Sequence, residues 1–258
     1  MSLLAFFGFG GGGGRLRIRE QPSPNHDARP ADTPIDTLVL HYTGMPTGAA
    51  ALTRLCDASA RVSAHYLVEE DGRVYRLVPD ERRAWHAGIA YWRGHRDINA
   101  RSIGIEIVNP GHEFGYRPFP VKQMAAVRDL ARDIMDRHPI PPRNVVAHSD
   151  VAPERKEDPG ELFDWAYLSS KGVGLWPKPN STTRVREFAG GERDAAITDA
   201  QRKLLAWGYE VPTHGLLDAK TERVLVAFQR RYRPTRFDGQ LDAETVSLLE
   251  ALLRQVDD

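Results

Sequence analysis

The chain of 258 residues contains one cysteine, Cys56. No internal disulfide can form and no thiolate zinc site can be built, so any metal must be held by His, Asp or Glu. Cys56 falls in the helix-like stretch Ala51–Asp57 and reads as a small packed hydrophobe rather than a nucleophile. Net charge is missing too, since 35 Lys and Arg balance 35 Asp and Glu. That removes the electrostatic argument for nucleic acid or an anionic membrane as partner. No apolar run approaches the roughly 20 residues that span a bilayer. The apolar start, Met1–Gly10, is short, the first basic residue is Arg15, and glycines stand where a cleavage site would. No cysteine lies nearby to accept a lipid. Residues 1–30 are therefore expected to form a flexible leader, with the protein cytoplasmic and a periplasmic, envelope-associated location as the alternative.

What is present has order. Asp36–Gly44 is nearly continuous in apolar residues, as a strand buried on both faces would be, and His41 sits near its end. A helical stretch, Ala49–Ala60, follows. Two β-rich runs then flank Asp71-Gly72, a strong hairpin signal. Ser102–Asn109 alternates as a strand does, with Glu106 interrupting an apolar context. Met124, Val127, Leu130, Ala131, Ile134 and Met135 fall at helical spacing within Val121–His138. The apolar run Val145–Ala147 ends in His148. The order β-α-ββ-β-α-β predicts an α/β fold with a mixed central β-sheet flanked by helices.

Around Leu175–Thr183 the composition shifts to proline and small polar residues, which predicts a linker over 179–193. Beyond it the chain repeats itself. Gly215, Leu217, Asp218, Ala219, Thr221 and Leu225 recur as Gly239, Leu241, Asp242, Ala243, Thr245 and Leu249. Each copy reads as a glycine turn, an aspartate N-cap and an amphipathic helix. With the helix Ile197–Gly208 in front, residues 194–258 should form a small three-helix domain, leaving 31–178 as the larger one. The small domain holds no promising catalytic cluster and is expected to bind something.

The chemistry concentrates in His148–Gly160. Taken alone, this is an ordinary charged surface loop. Yet a neutral imidazole, His148, and a carboxylate, Asp158, separated by a short loop can share a metal, with Lys156 between them. A hydrolytic zinc site needs about three N/O ligands and an open position. His41 and His148 both end apolar runs, and ligands of open α/β sheets bind at the carboxyl ends of strands. No local motif such as His-Glu-x-x-His is present, so His65 and His86 are rival ligands on chemistry alone. His65, between Ala64 and Tyr66 in a strand, reads as a hydrogen-bonded core residue. His86, next to Trp85 in a loop, reads as a substrate contact. A carboxylate that is not a ligand must take and return a proton. Glu106 suits that role, because burial in its apolar strand raises its pKa. Lys156 could stabilise an oxyanion.

Five stretches in order carry a resemblance: Leu40–Thr43, Ser63–Val68, Ala84–Gly88, Ser102–Glu106 and His148–Gly160. They look like the zinc-dependent N-acetylmuramoyl-L-alanine amidases of the AmpD/AmiD type (amidase type 2, related to peptidoglycan recognition proteins). The match runs from about residue 33 to 170, and the C-terminal repeat resembles the three-helix peptidoglycan-binding domain. The resemblance implies one Zn2+ per chain on His41, His148 and Asp158, with Glu106 and Lys156 as the catalytic pair. Trp85, His86, Asn109 and Tyr42 are expected to contact substrate. The implied reaction is hydrolysis of the amide joining N-acetylmuramic acid, or its 1,6-anhydro form, to L-alanine, in cell-wall turnover and recycling. Peptidoglycan or a muropeptide is then the partner, with no nucleic acid, no membrane span and a monomeric chain. Envelope members of the family carry an export or lipoprotein signal, and the leader shows none, which is what points to the cytoplasm. A non-catalytic peptidoglycan receptor is the competing reading. Retention of all five site residues favours the enzyme, since a receptor needs no proton shuttle. The C-terminal domain is expected to act as a tethered module that raises effective concentration on polymeric wall without entering the chemistry.

Overall fold

The computed structural model describes residues 17–179 and 184–256. The expectations for residues 1–16 and for the linker positions 180–183 lie outside the described residues. In chain order the elements begin with strands β1 (Ile18–Glu20), β2 (His26–Ala28) and β3 (Thr37–Tyr42), then helix α1 (Gly48–Cys56). Strands β4 (Tyr66–Val68), β5 (Val74–Arg76) and β6 (Arg82–Ala84) precede the short helix α2 (Ile98–Arg101) and strand β7 (Ser102–Ile107). Helices α3 (Gly111–Phe114) and α4 (Val121–Arg137), strand β8 (Val145–Ala147), and helices α5 (His148–Val151) and α6 (Trp165–Ser170) complete the first part. Helices α7 (Ala195–Trp207), α8 (Ala219–Tyr232) and α9 (Ala243–Arg254) form the second.

The main sheet runs β1-β5-β4-β7-β3-β8, and β2 pairs with β6 in a small second sheet. Strands β4, β7, β3 and β8 are mutually parallel, while β5 runs antiparallel to β4 around the Asp71-Gly72 turn. Gly72 takes φ 87 there, a left-handed conformation that a side chain would strain. The mixed sheet flanked by helices is therefore as the sequence implied. Alternation along the strands explains why their apolar runs are continuous. Leu38, Leu40, Ile103 and Ile105 pack on one face against Val127, Leu130 and Ile134 of α4. Val39 and Val146 point to the other face, into a core shared with Leu204, Trp207, Tyr209 and Phe228 of the C-terminal part.

Two expectations need correction. Residues 17–30 are not a free leader: β1 adds to the sheet edge beside β5, and β2 pairs with β6. Their polar composition hid this, because the segment is tied down by hydrogen bonds more than by apolar burial. Ser23 Oγ donates to the Leu55 carbonyl at 2.5 Å. The Arg29 guanidinium donates to the carbonyls of Asp80, Asn99, Ala100 and Ser102 at 2.7–3.0 Å. Nor is the helical part a loosely tethered module. Phe188, inside the expected linker, is 2% exposed and pairs with Leu241. The helices also cover the sheet face opposite α4, a contact that composition alone could not reveal.

Within the C-terminal part the repeat reads as expected. Asp218 and Asp242 cap α8 and α9 by accepting from the N–H groups of Thr221 and Thr245. Gly215 and Gly239 share φ 78 in the preceding turns. Among the described residues no helix is long and apolar enough to cross a membrane.

Candidate active site

Because β3, β7 and β8 are parallel neighbours, their carboxyl ends reach the same edge of the sheet. In register, His41 stands beside Glu106 and Leu40 beside Ala147. The chain leaves β8 directly into α5, so His148 begins a helical turn at that edge. The Ser149 N–H then donates to the Asp158 carbonyl at 3.0 Å, folding the following loop back over the turn. The result brings three donor atoms together. His41 Nδ1 lies 2.9 Å from His148 Nδ1 and 3.2 Å from Asp158 Oδ2, which is 3.0 Å from His148 Nδ1. All three residues are buried.

This set fits a tetrahedral metal ion. Donors about 2.0–2.1 Å from zinc stand about 3.3 Å from one another, close to the separations seen. Two Nδ1 atoms facing one carboxylate oxygen are the groups that a cation would pull together. Burial and then the neighbouring His148 lower the His41 pKa to about 4, so the imidazole is neutral, as a ligand must be. Burial opposes ionisation of Asp158, but His148 and His41 outweigh it and hold the carboxyl well below the usual range.

A second layer fixes the ring orientations. His148 Nε2 faces the Ala87 carbonyl at 3.2 Å. His41 Nε2 faces His86 Nδ1 at 3.1 Å, and His86 Nε2 faces Ser102 Oγ at 3.2 Å. Ser102 Oγ donates onward to the Ile98 carbonyl at 2.6 Å. With a metal on both Nδ1 atoms, each Nε2 would carry the proton and donate outward. Asn99 Oδ1 accepts from the backbone N–H groups of His86 and Ala87, holding that loop against the site.

The side chains expected to touch substrate are placed differently from one another. His86 is 6% exposed and lines the cleft, and both its ring nitrogens have protein partners, so it braces His41. Asn109 is also buried. Its Nδ2 donates to the Arg117 carbonyl and its Oδ1 accepts from Gly111, which shapes the loop beyond β7. Trp85 is half-buried and outside the cleft walls. Of the four, His86 and Tyr42 line the cleft, and Tyr42 is the more exposed, its hydroxyl 3.3 Å from Glu157 and 3.1 Å from His112. His65 is the core histidine its strand position implied: Nδ1 accepts from Gly104 N–H at 2.9 Å, and Nε2 faces the Arg82 carbonyl.

The cleft over these residues has a volume of about 350 Å³ and is walled by Tyr42, Glu106, His112, Lys156 and Glu157 as well as the three donors. Glu106 is half-buried, and its Oε2 has no hydrogen-bond partner among the described residues. Burial first, and then the negative charge of Asp158, push its carboxyl well above the ordinary range, with Lys156 opposing. A carboxylate that lines the cleft with an unpartnered Oε2, beside three groups that could hold a metal, has the features of a proton-transfer group. Lys156 stands exposed on the facing loop. Sequence reasoning missed Ser102, Asn99 and Asp150. Their roles were hidden because each also acts on a partner elsewhere in the chain: Ser102 and Asn99 on His86, and Asp150 on Tyr209 and Arg231.

The N-acetylmuramoyl-L-alanine amidase family profile matches residues 31–161, and a peptidoglycan-binding domain profile matches residues 193–249. N-acetylmuramoyl-L-alanine amidase AmiD of Escherichia coli is 40% identical over 238 residues, covering 86% of this chain and 83% of that protein. The structure of E. coli AmiD with anhydro-N-acetylmuramic acid-L-Ala-D-gamma-Glu-L-Lys superposes with a TM-score of 0.75 at 39% identity, covering 87% of this chain and 91% of AmiD. The 1,6-anhydro-N-acetylmuramyl-L-alanine amidase AmpD of E. coli is 38% identical over 162 residues, covering 56% of this chain and 86% of AmpD. On a sheet edge that assembles this site, and with matches that span both its parts, the chain belongs to the N-acetylmuramoyl-L-alanine amidase family.

Proposed function

We propose that this enzyme hydrolyses the amide between N-acetylmuramic acid, or its 1,6-anhydro form, and L-alanine in peptidoglycan or muropeptides, in cell-wall turnover and recycling. His41, His148 and Asp158 would hold one Zn2+ per chain. Bound there, zinc supplies a Lewis acid and lowers the pKa of water towards neutrality. The observation that carries the reading is the convergence of those three donor atoms beside Glu106, whose Oε2 has no hydrogen-bond partner among the described residues. Glu106 takes the proton of the attacking water at its carboxylate and delivers it to the departing nitrogen of L-alanine. Burial raises its pKa above the ordinary carboxylate range, towards what a group that both takes and returns a proton needs. Lys156, across the cleft, places a positive charge where the carbonyl oxygen gains negative charge. Tyr42 is the side chain best placed to contact the sugar or peptide as it enters.

We assign residues 31–178, with β1 and β2 added to their sheets, to the catalytic domain and 194–258 to the wall-binding domain, which adds contacts to polymeric substrate. Cytoplasmic residence is the expectation, and fractionation of cells reads it directly; recovery in the envelope would establish the periplasmic alternative. The functional test is metal analysis together with turnover. Wild type should carry one zinc per chain and cleave soluble anhydro-muropeptide, and His41→Ala and His148→Ala should lose both. Full zinc occupancy in either variant would refute the ligand set. Comparing anhydro-muropeptide with insoluble sacculi then tells which form turns over faster.

A further inference from the structure

The turn that carries His148 is held from the other domain. Asp150 is 1% exposed, and its carboxylate is shared three ways. Oδ2 accepts from the Ala147 N–H at 2.8 Å and pairs with Arg231 Nη1, while Oδ1 accepts from the Tyr209 hydroxyl at 2.5 Å. Arg231 and Tyr209 come from the helical part, 3% and 0% exposed. The same guanidinium donates from Nη2 to the Val145 carbonyl at 2.8 Å and lies over the Trp165 ring at 4.0 Å. One side chain of α8 therefore grips both ends of Val145–Asp150, the segment in which His148 sits. Ser149 in that segment holds the Asp158 carbonyl. Two of the three donor atoms of the site thus depend on a turn whose buried carboxylate is paired with a cation from the second domain.

We infer that Arg231 and Tyr209 are positioning residues for the metal site, so that the wall-binding domain is also a working part of the hydrolytic centre. A domain that only added affinity for polymer would not need buried polar groups aimed at this turn. Removing a partner from a buried carboxylate leaves charge or lone pairs unmatched, and the turn relaxes to find water. Support of this kind is felt as metal affinity, because ligands held loosely must be ordered when the ion binds. The inference rests on the reading of His41, His148 and Asp158 as a zinc site.

Full-length Tyr209→Phe and Arg231→Lys test it, with Gln201→Ala as the comparison. Among the described residues the Gln201 amide bonds Leu216, Thr221 and Gly215, all within the helical domain. Zinc affinity by chelator competition, kcat on soluble anhydro-muropeptide and thermal melting of the metal-free protein are measured for each. Tyr209→Phe and Arg231→Lys should weaken zinc binding roughly tenfold or more, the range for groups behind the ligands, and lower kcat on the soluble substrate. Gln201→Ala should lower the melting temperature while zinc affinity stays within twofold. Zinc affinity and kcat unchanged in Tyr209→Phe and Arg231→Lys, whatever their melting temperatures, would overturn the inference. Should Arg231→Lys fail to fold, Tyr209→Phe, which loses one oxygen atom, decides alone. A wild-type protein that binds no zinc would instead sink the zinc reading, and the inference with it.

Discussion

Gly104 lies under the His86 ring, and replacing it with alanine probes the second layer of the site without touching a ligand. A Cβ there would stand 2.5 Å from His86 Cγ and 2.6 Å from Nδ1, against 3.4–4 Å for ordinary contact. The ring must therefore retreat by about 1 Å, and it has little room. Its backbone N–H is fixed to Asn99, its Nε2 faces Ser102, and the His65 ring is 5.6 Å away on another side. A shift of that size carries the 3.1 Å contact between His86 Nδ1 and His41 Nε2 out of hydrogen-bond range. Two costs follow. Overpacking should destabilise the metal-free protein by about 1–3 kcal/mol. Loss of the acceptor behind His41 should weaken zinc binding by about 10–100-fold, or roughly 1.4–2.7 kcal/mol. Chelator competition reads the second and thermal melting the first. If Gly104→Ala binds zinc within twofold of wild type, the His41–His86–Ser102 chain does not tune the metal site and the reasoning fails.

Glu106→Gln should keep zinc and fold yet lose about 10²–10⁴-fold in kcat, because the near-isosteric amide cannot carry a proton; near wild-type turnover of the zinc-loaded variant would make Glu106 structural only. In wild type the base must be ionised. Burial raises its pKa, so kcat/KM should fall as pH drops through a value above the ordinary 4.5, and a limb at or below 4.5 would contradict the burial argument. Lys156→Ala should lower kcat by about 10²–10³-fold with KM little changed, and an effect confined to KM would move Lys156 to substrate binding. For stability, burial disfavours ionised Asp80, but hydrogen bonds from His138, Tyr66 and Arg137 outweigh it and depress its pKa below 3.8. A depressed carboxyl contributes stability above its unfolded value, lost as pH falls from about 3.8 through the lower native value. Asp80→Asn should thus cost about 1–3 kcal/mol at neutral pH and flatten that acid loss, as denaturant melts across pH would show.

Much of the site was legible because its residues end apolar runs. His41 and His148 close strands buried on both faces, and Glu106 is the charge inside a third, so parallel pairing alone brings them to one edge. Asp158 could be read from its loop. What the sequence could not give is the direction of side chains set by distant partners. His86 looked like a ligand contact because it follows Trp85 in a loop, but Gly104, eighteen positions on, leaves the space that draws its ring inward. Asn109 was expected to contact substrate by the resemblance alone, and its amide closes the loop to Arg117. The strands β1 and β2 are three residues each and polar, too short for any periodicity to register. The second domain read correctly as helices, since caps and turns are local. Its seat on the sheet did not, because Val39 and Val146 have the same apolar character whichever layer covers them.

The most direct test of the central claim is the site of bond cleavage. Soluble anhydro-muropeptide is digested by the zinc-loaded enzyme in water enriched in heavy oxygen, and the products are read by mass spectrometry. Hydrolysis at the proposed amide gives two products: a muramic acid whose lactyl carboxylate carries one heavy oxygen, and an unlabelled stem peptide with a free L-alanine amine. Label in a carboxylate of the peptide would place the cut elsewhere in the stem, and intact substrate with zinc-loaded protein would leave a receptor in place of an enzyme. Either result contradicts the account.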